Sequence, residues 1–314
     1  MTAPVRHVWA ALLVVYVVWG STYLAIKVVV DTLPPLLSAG SRFLVAAALL
    51  AAALALRGTS LRASGAELRG AAIAGLLLLT LGVGVVHVAE TRIDSSVAAM
   101  IAGTVPLQVV LLRLASGDSP SRATRLSTTA GLAGLGLVVA PGLGSGSTAL
   151  GLAVMVGASA SWSLGSFLSR RLTLPRDPFV ATAWEMAFGG AFLTGAALAA
   201  GEWRDLDAGA FAAGSLAAWG YLVVAGSLVG FTAYAWLLRV APISLVVTHQ
   251  YVNPLVAIVL GMLLLGERPS PLALGGALLV IGAVYAVVRA ESRAARASRP
   301  ASVVPRGTPA GRTA

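Results

Sequence analysis

The stretch "SVAAMIAGTVPLQVVLLRLASGD" (Ser96–Asp118) has a second version further along, "SLVVTHQYVNPLVAIVLGMLLLGE" (Ser244–Glu267). Pro106 falls on Pro254, and one gap brings Gly117-Asp118 onto Gly266-Glu267. Two other pairs keep the same order. "WGSTYLAIK" from Trp19 resembles "WSLGSFLSR" from Trp162 at an offset of 143, which aligns Lys27 with Arg170. At that offset "PLLSAGSRFLVAAALL" from Pro35 falls on "PFVATAWEMAFGGAFL" from Pro178. Each match alone is weak; three in order at a near-constant offset mark an internal duplication.

The composition says where the duplicated unit lives. The 314 residues are 58% hydrophobic and 11% charged, with a mean hydropathy of +0.88. A soluble domain averages about 25% charged residues, so this chain lacks the surface of one. Breaking it at charges, prolines and Gly/Ser clusters leaves ten apolar runs. They are 8–30, 35–56, 70–90, 95–116, 124–141, 149–169, 178–200, 213–237, 243–265 and 270–289. Runs of about 20 residues cross a hydrocarbon core as helices, because lipid satisfies no open backbone group and nothing here alternates as a barrel strand does. Arg6 precedes the first run and no small-residue cleavage site closes it, so it reads as an uncleaved first helix.

Charge supports the count. With the N-terminus in the cytoplasm, 17 of the 22 basic residues fall on inner segments or the tail, and only Arg92, Arg204 and Arg268 on outer loops. The expectation is an all-α polytopic membrane protein of ten transmembrane helices with both ends inside. The halves are helices 1–5 (8–141) and 6–10 (149–289), followed by a disordered basic tail (290–314) whose arginines can touch anionic headgroups. Five is odd, so the second half must sit inverted relative to the first. Inverted repeats with a midplane site between them are an architecture of secondary transporters.

Of the 22 basic residues 21 are Arg, and with abundant Ala and Gly this reads as the product of a GC-rich genome rather than a nucleic-acid footprint. Cysteine is absent, which removes disulfides and thiolate metal sites. The histidines at 7, 87 and 249 match no zinc motif, and no cofactor motif occurs. The sole lysine, in "AIKV", is not in a Walker A loop, and no GxSxG elbow occurs, so energy must come from a solute gradient or coupled ions.

The stretches "VVWGSTYLAIKVVVDTLPPLLSAGSRFLVAAALL", "VAETRIDSSVAAMIAGTVPLQVVLL" and "HQYVNPLVAIVLGMLLLGE" resemble the drug/metabolite transporter superfamily, and within it EamA-type exporters of the YedA-like branch. The resemblance covers residues 8–290. It implies two inverted EamA repeats, a bacterial inner-membrane location and export of small metabolites, amino acids or drugs. It also implies a central cavity lined by helices 1, 3, 4, 6, 8 and 9, with helices 2 and 7 away from it.

Several polar residues stand out. "TAWEMAFGGAFL" (Thr182–Leu193) holds Glu185, the equivalent of Arg42 at offset 143. Each lies about seven residues into its helix, roughly 10 Å deep. A charge near a helix centre costs about 2.5–3.5 kcal/mol on insertion scales, so it needs a partner or water. Glu185 reads as a coupling or substrate-amine site, or as a structural clamp, with Arg42 bonded to carbonyls. Trp19 and Trp162 fall near the midplane, where an indole N–H needs a partner. They either line a wet cavity with Ser21, Tyr23 and Ser163, or pack helices. Trp9, Trp203, Trp219 and Trp236 read as interface anchors.

"THQYVNP" is the richest polar cluster. Pro254 breaks the helix and frees a carbonyl, while His249, Gln250 and Asn253 put at least two polar groups on one face. It reads as a solute pathway or as interhelical hydrogen bonding, and its counterpart with Pro106 and Gln108 is less polar. His87 and Glu90 read as an outer gate or a solvated rim. "GASASWSLGS" (Gly157–Ser166) suits close helix packing.

The leading expectation is a secondary exporter of small organic solutes, with protons as one coupling option and the bilayer as its partner. A homodimer stays open. The rivals are an intramembrane lipid- or isoprenoid-modifying enzyme, against which no carboxylate pair clusters at one depth, and a non-transporting sensor, which would carry no flux.

Overall fold

The computed structural model describes residues 4–93, 98, 101–139, 148–206, 211–253, 255, 256, 259 and 271–297, and among these all regular structure is helical. The first half contains α1 (Val5–Val30), α2 (Pro35–Leu56), α3 (Gly65–Glu90), α4 (Val105–Ala115) and α5 (Arg122–Val139). Then follow α6 (Ala149–Leu168), α7 (Pro178–Ala200) and α8 (Ala213–Val240). The short α9 (Ile243–Val246) meets a turn at Val247-Thr248, with helix again over 249–253, and α10 is Pro271–Ala297. A turn at Gly103-Thr104 likewise precedes α4, so both members of the opening sequence pair are interrupted helices.

Among the described residues α1, α2, α3, α6 and α8 have 20–28 residues and enough apolar character to cross a membrane. At 1.5 Å per residue the shortest spans 30 Å, the hydrocarbon thickness. The chain is a polytopic membrane protein. α7 has 23 residues and is set apart by Glu185. α10 runs on to Ala297, past the expected tail boundary at 290, and the remaining tail lies outside the described residues.

Local chemistry sets the helix starts. Ser64 and Glu67 form a capping box on α3, with Ser64 N donating to Glu67 Oε2 at 2.7 Å. Asp177 Oδ1 accepts from Phe179 N at 2.8 Å ahead of Pro178, which begins α7 where a missing N–H is harmless. Gly201 ends α7 at φ 82°, a left-handed conformation that suits glycine. Along α1, Leu12, Val15 and Trp19 turn inward while Leu13, Val17 and Leu24 face outward, the spacing of a two-sided helix.

Packing is reciprocal between the halves. α2 lies along α7 and α5 along α10; α1 packs on α8 as α6 packs on α3. Exchanging the halves maps this contact set onto itself. A second correspondence was not foreseen: α3 is π-helical over Gly75–Gly84 and α8 over Leu222–Phe231, an offset of 147. A π segment widens the helix and misaligns carbonyls, and such segments recur at functional sites. Here carbonyls of both π segments accept from side chains of neighbouring helices. Ser161 Oγ of α6 donates to Leu77 O at 2.8 Å, and Trp19 Nε1 of α1 donates to Gly226 O at 3.1 Å.

Within the two π segments Gly82 and Gly230 seat the matched tryptophans crosswise. A Cβ at Gly230 would lie 2.5 Å from Trp19 Nε1, and one at Gly82 would lie 3.0 Å from the Trp162 ring. Each half thus places its tryptophan against the other half's glycine.

Candidate functional site

Where these helices converge is a cavity with about 70 Å³ of space for the centres of water molecules. One water needs roughly 10–15 Å³ by that measure, so the cavity takes several waters or a small solute. From the first half it is lined by Trp19 and Tyr23 of α1, Gly82 of α3 and Val105 of α4. From the second half it is lined by Ser159 and Trp162 of α6, Gly226 of α8, and Gln250 and Asn253 in the helical stretch after α9. Arg42 and Phe43 of α2 also line it, which departs from the expectation that α2 stands apart.

Beside the cavity Trp19, Trp162, Tyr234 and His249 pack ring against ring. Trp19 lies 5.3 Å from Trp162, 4.9 Å from Tyr234 and 5.0 Å from His249, centroid to centroid. Edge and tilted contacts of this kind contribute roughly 0.5–1.5 kcal/mol each beyond area burial. Tyr234 Oη shares a 2.6 Å hydrogen bond with Ser166 Oγ, tying α8 to α6. The Val246 carbonyl, 2.9 Å away, requires His249 Nδ1 to be the donor and leaves Nε2 as a buried acceptor without a partner among the described residues.

The interrupted helices treat their polar residues differently. Gln108 of α4 donates to Thr104 Oγ1 at 2.8 Å and Ser159 Oγ at 2.9 Å, and accepts from Ser163 Oγ at 2.7 Å. In the helical stretch after α9, Gln250 Oε1 and Asn253 Oδ1 are buried without a partner among the described residues.

The foreseen residues therefore separate into groups. Trp19, Tyr23, Trp162, Gln250, Asn253 and Arg42 come together at the cavity, with His249 in the aromatic cluster behind it. Ser163 is used by Gln108, and Ser21 faces α8, where its Oγ meets Tyr221 Oη at 2.5 Å. Pro106 is buried in the first turn of α4, and Pro254 lies outside the described residues. Glu185 is buried on α7 against α3, where its carbonyl would lie 2.5 Å from a Cβ at Gly75, and the charge acting on it is Arg239 at the end of α8.

His87 and Glu90 are not a solvated rim: both are fully buried, because the last turn of α3 packs against α1, α2 and α6. Nor do they pair with each other. His87 Nε2 accepts from Arg42 Nη1 at 3.3 Å, with Ser38 Oγ at 3.4 Å from Nδ1. Lys27 Nζ donates to the Glu90 carbonyl at 3.0 Å. Trp219 is no free interface anchor either, since its Nε1 donates to Ser38 O at 3.2 Å and links α8 to α2. Tyr234, Ser159, Lys27 and the Gly82/Gly230 pair were missed. Carrying the self-comparison into α3 and α8 would have found the glycines; Lys27 stood out as the sole lysine and Ser159 lay within "GASASWSLGS", but nothing in the sequence marks their contacts or singles out Tyr234.

A cavity lined by helices from both halves of a duplicated, membrane-spanning chain, with unpartnered buried polar groups among its lining residues, fits a membrane transporter. Comparison with known proteins gives the family: the EamA-like transporter family matches residues 7–140 and again 149–289, and the chain belongs to it. The inner membrane transporter YedA of Escherichia coli (strain K12) is 39% identical over 271 residues, 85% of this chain and 87% of that one. The transporter YvbV of Bacillus subtilis is 26% identical over 295 residues, 92% of this chain and 94% of its own. A solved crystal structure shares the fold with a TM-score of 0.72 at 20% identity, covering 91% of this chain and 97% of its own. Within the drug/metabolite transporter superfamily the chain is of the YedA-like EamA type.

Proposed function

We propose that the chain is a secondary carrier that exports small organic solutes across the bacterial inner membrane by alternating access. It does so as ten transmembrane helices in two inverted EamA repeats, 8–141 and 149–289, with both termini cytoplasmic. The odd helix count per half, the sorting of arginines and the reciprocal packing of α1 on α8 and α6 on α3 support that arrangement. One observation carries the functional reading: the cavity is shared by both halves and is lined by buried polar atoms that have no partner among the described residues. Rocking one half against the other would open such a site to each side in turn.

Glu185 stands off the cavity, which supports the clamp reading over coupling. Purified protein in liposomes, given organic acids, amino acids, nucleosides and cationic drugs with and without a pH gradient, tests the reading. We expect saturable flux of one class, abolished by Ser159→Trp, which fills the cavity. Absence of flux for every class contradicts the proposal. Glu185→Gln is expected to keep both the flux and its response to the pH gradient; loss of that response would return Glu185 to a coupling role.

A further inference from the structure

The charges around the cavity do not cancel. Lys27 donates to the backbone carbonyl of Glu90 at 3.0 Å, while both carboxylate oxygens of Glu90 are buried without a partner among the described residues, and neither residue lines the cavity. His87 is neutral, since its Nε2 lone pair faces an arginine N–H. That leaves Arg42, 4% exposed and lining the cavity, with one N–H given to His87, its carbon 4.5 Å from the Phe43 ring centroid, and Nε–H unpartnered among the described residues. The ion pair found among the described residues is Arg113–Asp118, elsewhere in the molecule. A guanidinium has five donors and always keeps its charge, so an unneutralised, buried one is costly unless something anionic arrives.

The same cavity is lined by the amides of Gln250 and Asn253, 6% and 3% exposed, whose oxygens lack partners among the described residues. The indole rings of Trp19 and Trp162 add apolar surface to the lining.

We propose that the cavity takes a small organic anion, its carboxylate received by Arg42 and a second polar group of the same solute received by Gln250 and Asn253. This rests on the cavity being the solute site, and narrows it from any organic solute to a carboxylate with an apolar body. Carboxylate and guanidinium match as a two-pronged, charge-assisted pair, which an amide or an amine cannot reproduce.

The test uses the full chain in lipid nanodiscs and in liposomes, with matched triplets of carboxylate, primary amide and amine on one skeleton that also carries a hydrogen-bond donor, such as 3-(4-hydroxyphenyl)propionate and its amide and amine analogues. Binding is read by tryptophan fluorescence and transport by counterflow. The carboxylate of at least one skeleton should bind about 10- to 100-fold more tightly than its amide, and the amine least. Arg42→Gln should erase that preference, and Arg42→Lys should restore part of it. Flux with an amide or amine favoured, or a carboxylate preference untouched by Arg42→Gln, overturns the anion proposal while leaving the carrier intact. If Arg42→Gln does not fold, the triplets on the unaltered protein decide alone. No flux of any compound overturns the carrier reading, and this one with it.

Discussion

The segments containing α4 and α9 are two copies of one sequence pattern, yet their polar side chains end in opposite states. Gln108 of α4 is consumed by Thr104, Ser159 and Ser163 in a tie to α6. Gln250 and Asn253, in the helical stretch that follows α9, line the cavity, and their oxygens have no partner among the described residues. Buried polar groups are nearly always bonded, so under the proposed function the contrast gives structure to one copy and solute to the other.

The shared frame is also where substitution should cost most. Gly82→Val and Gly230→Val push side chains into Trp162 and Trp19, where even a Cβ would come within 3.0 and 2.5 Å. Overpacking of this sort costs about 1–3 kcal/mol or more. We expect both variants to unfold at clearly lower temperature in detergent, Gly230→Val more so. Equal tolerance at both glycines would break the idea that the tryptophans are seated crosswise.

Gln108→Leu should cost less, about 1–2 kcal/mol, since it removes two interhelical bonds, to Ser159 and Ser163, and one to Thr104 at the start of its own helix. Asn253→Leu should be neutral or slightly stabilising, because it removes a buried acceptor that nothing in the described fold satisfies, while solute binding weakens. Chemical denaturation beside fluorescence titration separates the two. If Asn253→Leu destabilises as much as Gln108→Leu, the contrast between α4 and α9 disappears. Tyr234→Phe should destabilise less than Gln108→Leu, by about 0.6 kcal/mol, the average for one interhelical hydrogen bond in a membrane. A large loss of stability there would move the central anchor from the tryptophans to the Tyr234–Ser166 bond.

The frame was legible in the sequence because repetition and hydropathy survive divergence: the tryptophan pair, the charges at matched positions and "THQYVNP" all stood out. What a side chain faces was less so. Seven residues from a helix end gave the depth of Arg42 and Glu185 but not the rotation that turns one of them to the cavity. π segments in α3 and α8 break the 3.6-residue periodicity by which a face would be read. His87 and Glu90 looked shallow because distance along α3 says nothing of α1, α2 and α6 packing over its end.

All of this rests on two halves that enclose one cavity from opposite orientations. The chain has no cysteine, so single introduced thiols report their own location. Thr32→Cys, between α1 and α2, and Arg176→Cys, between α6 and α7, occupy matched loops of the two halves. A membrane-impermeant maleimide applied to intact cells and to inside-out vesicles should label Thr32→Cys only from the periplasmic face and Arg176→Cys only from the cytoplasmic face. Labelling of both from the same face would mean that the halves run parallel, and would contradict the account at its base.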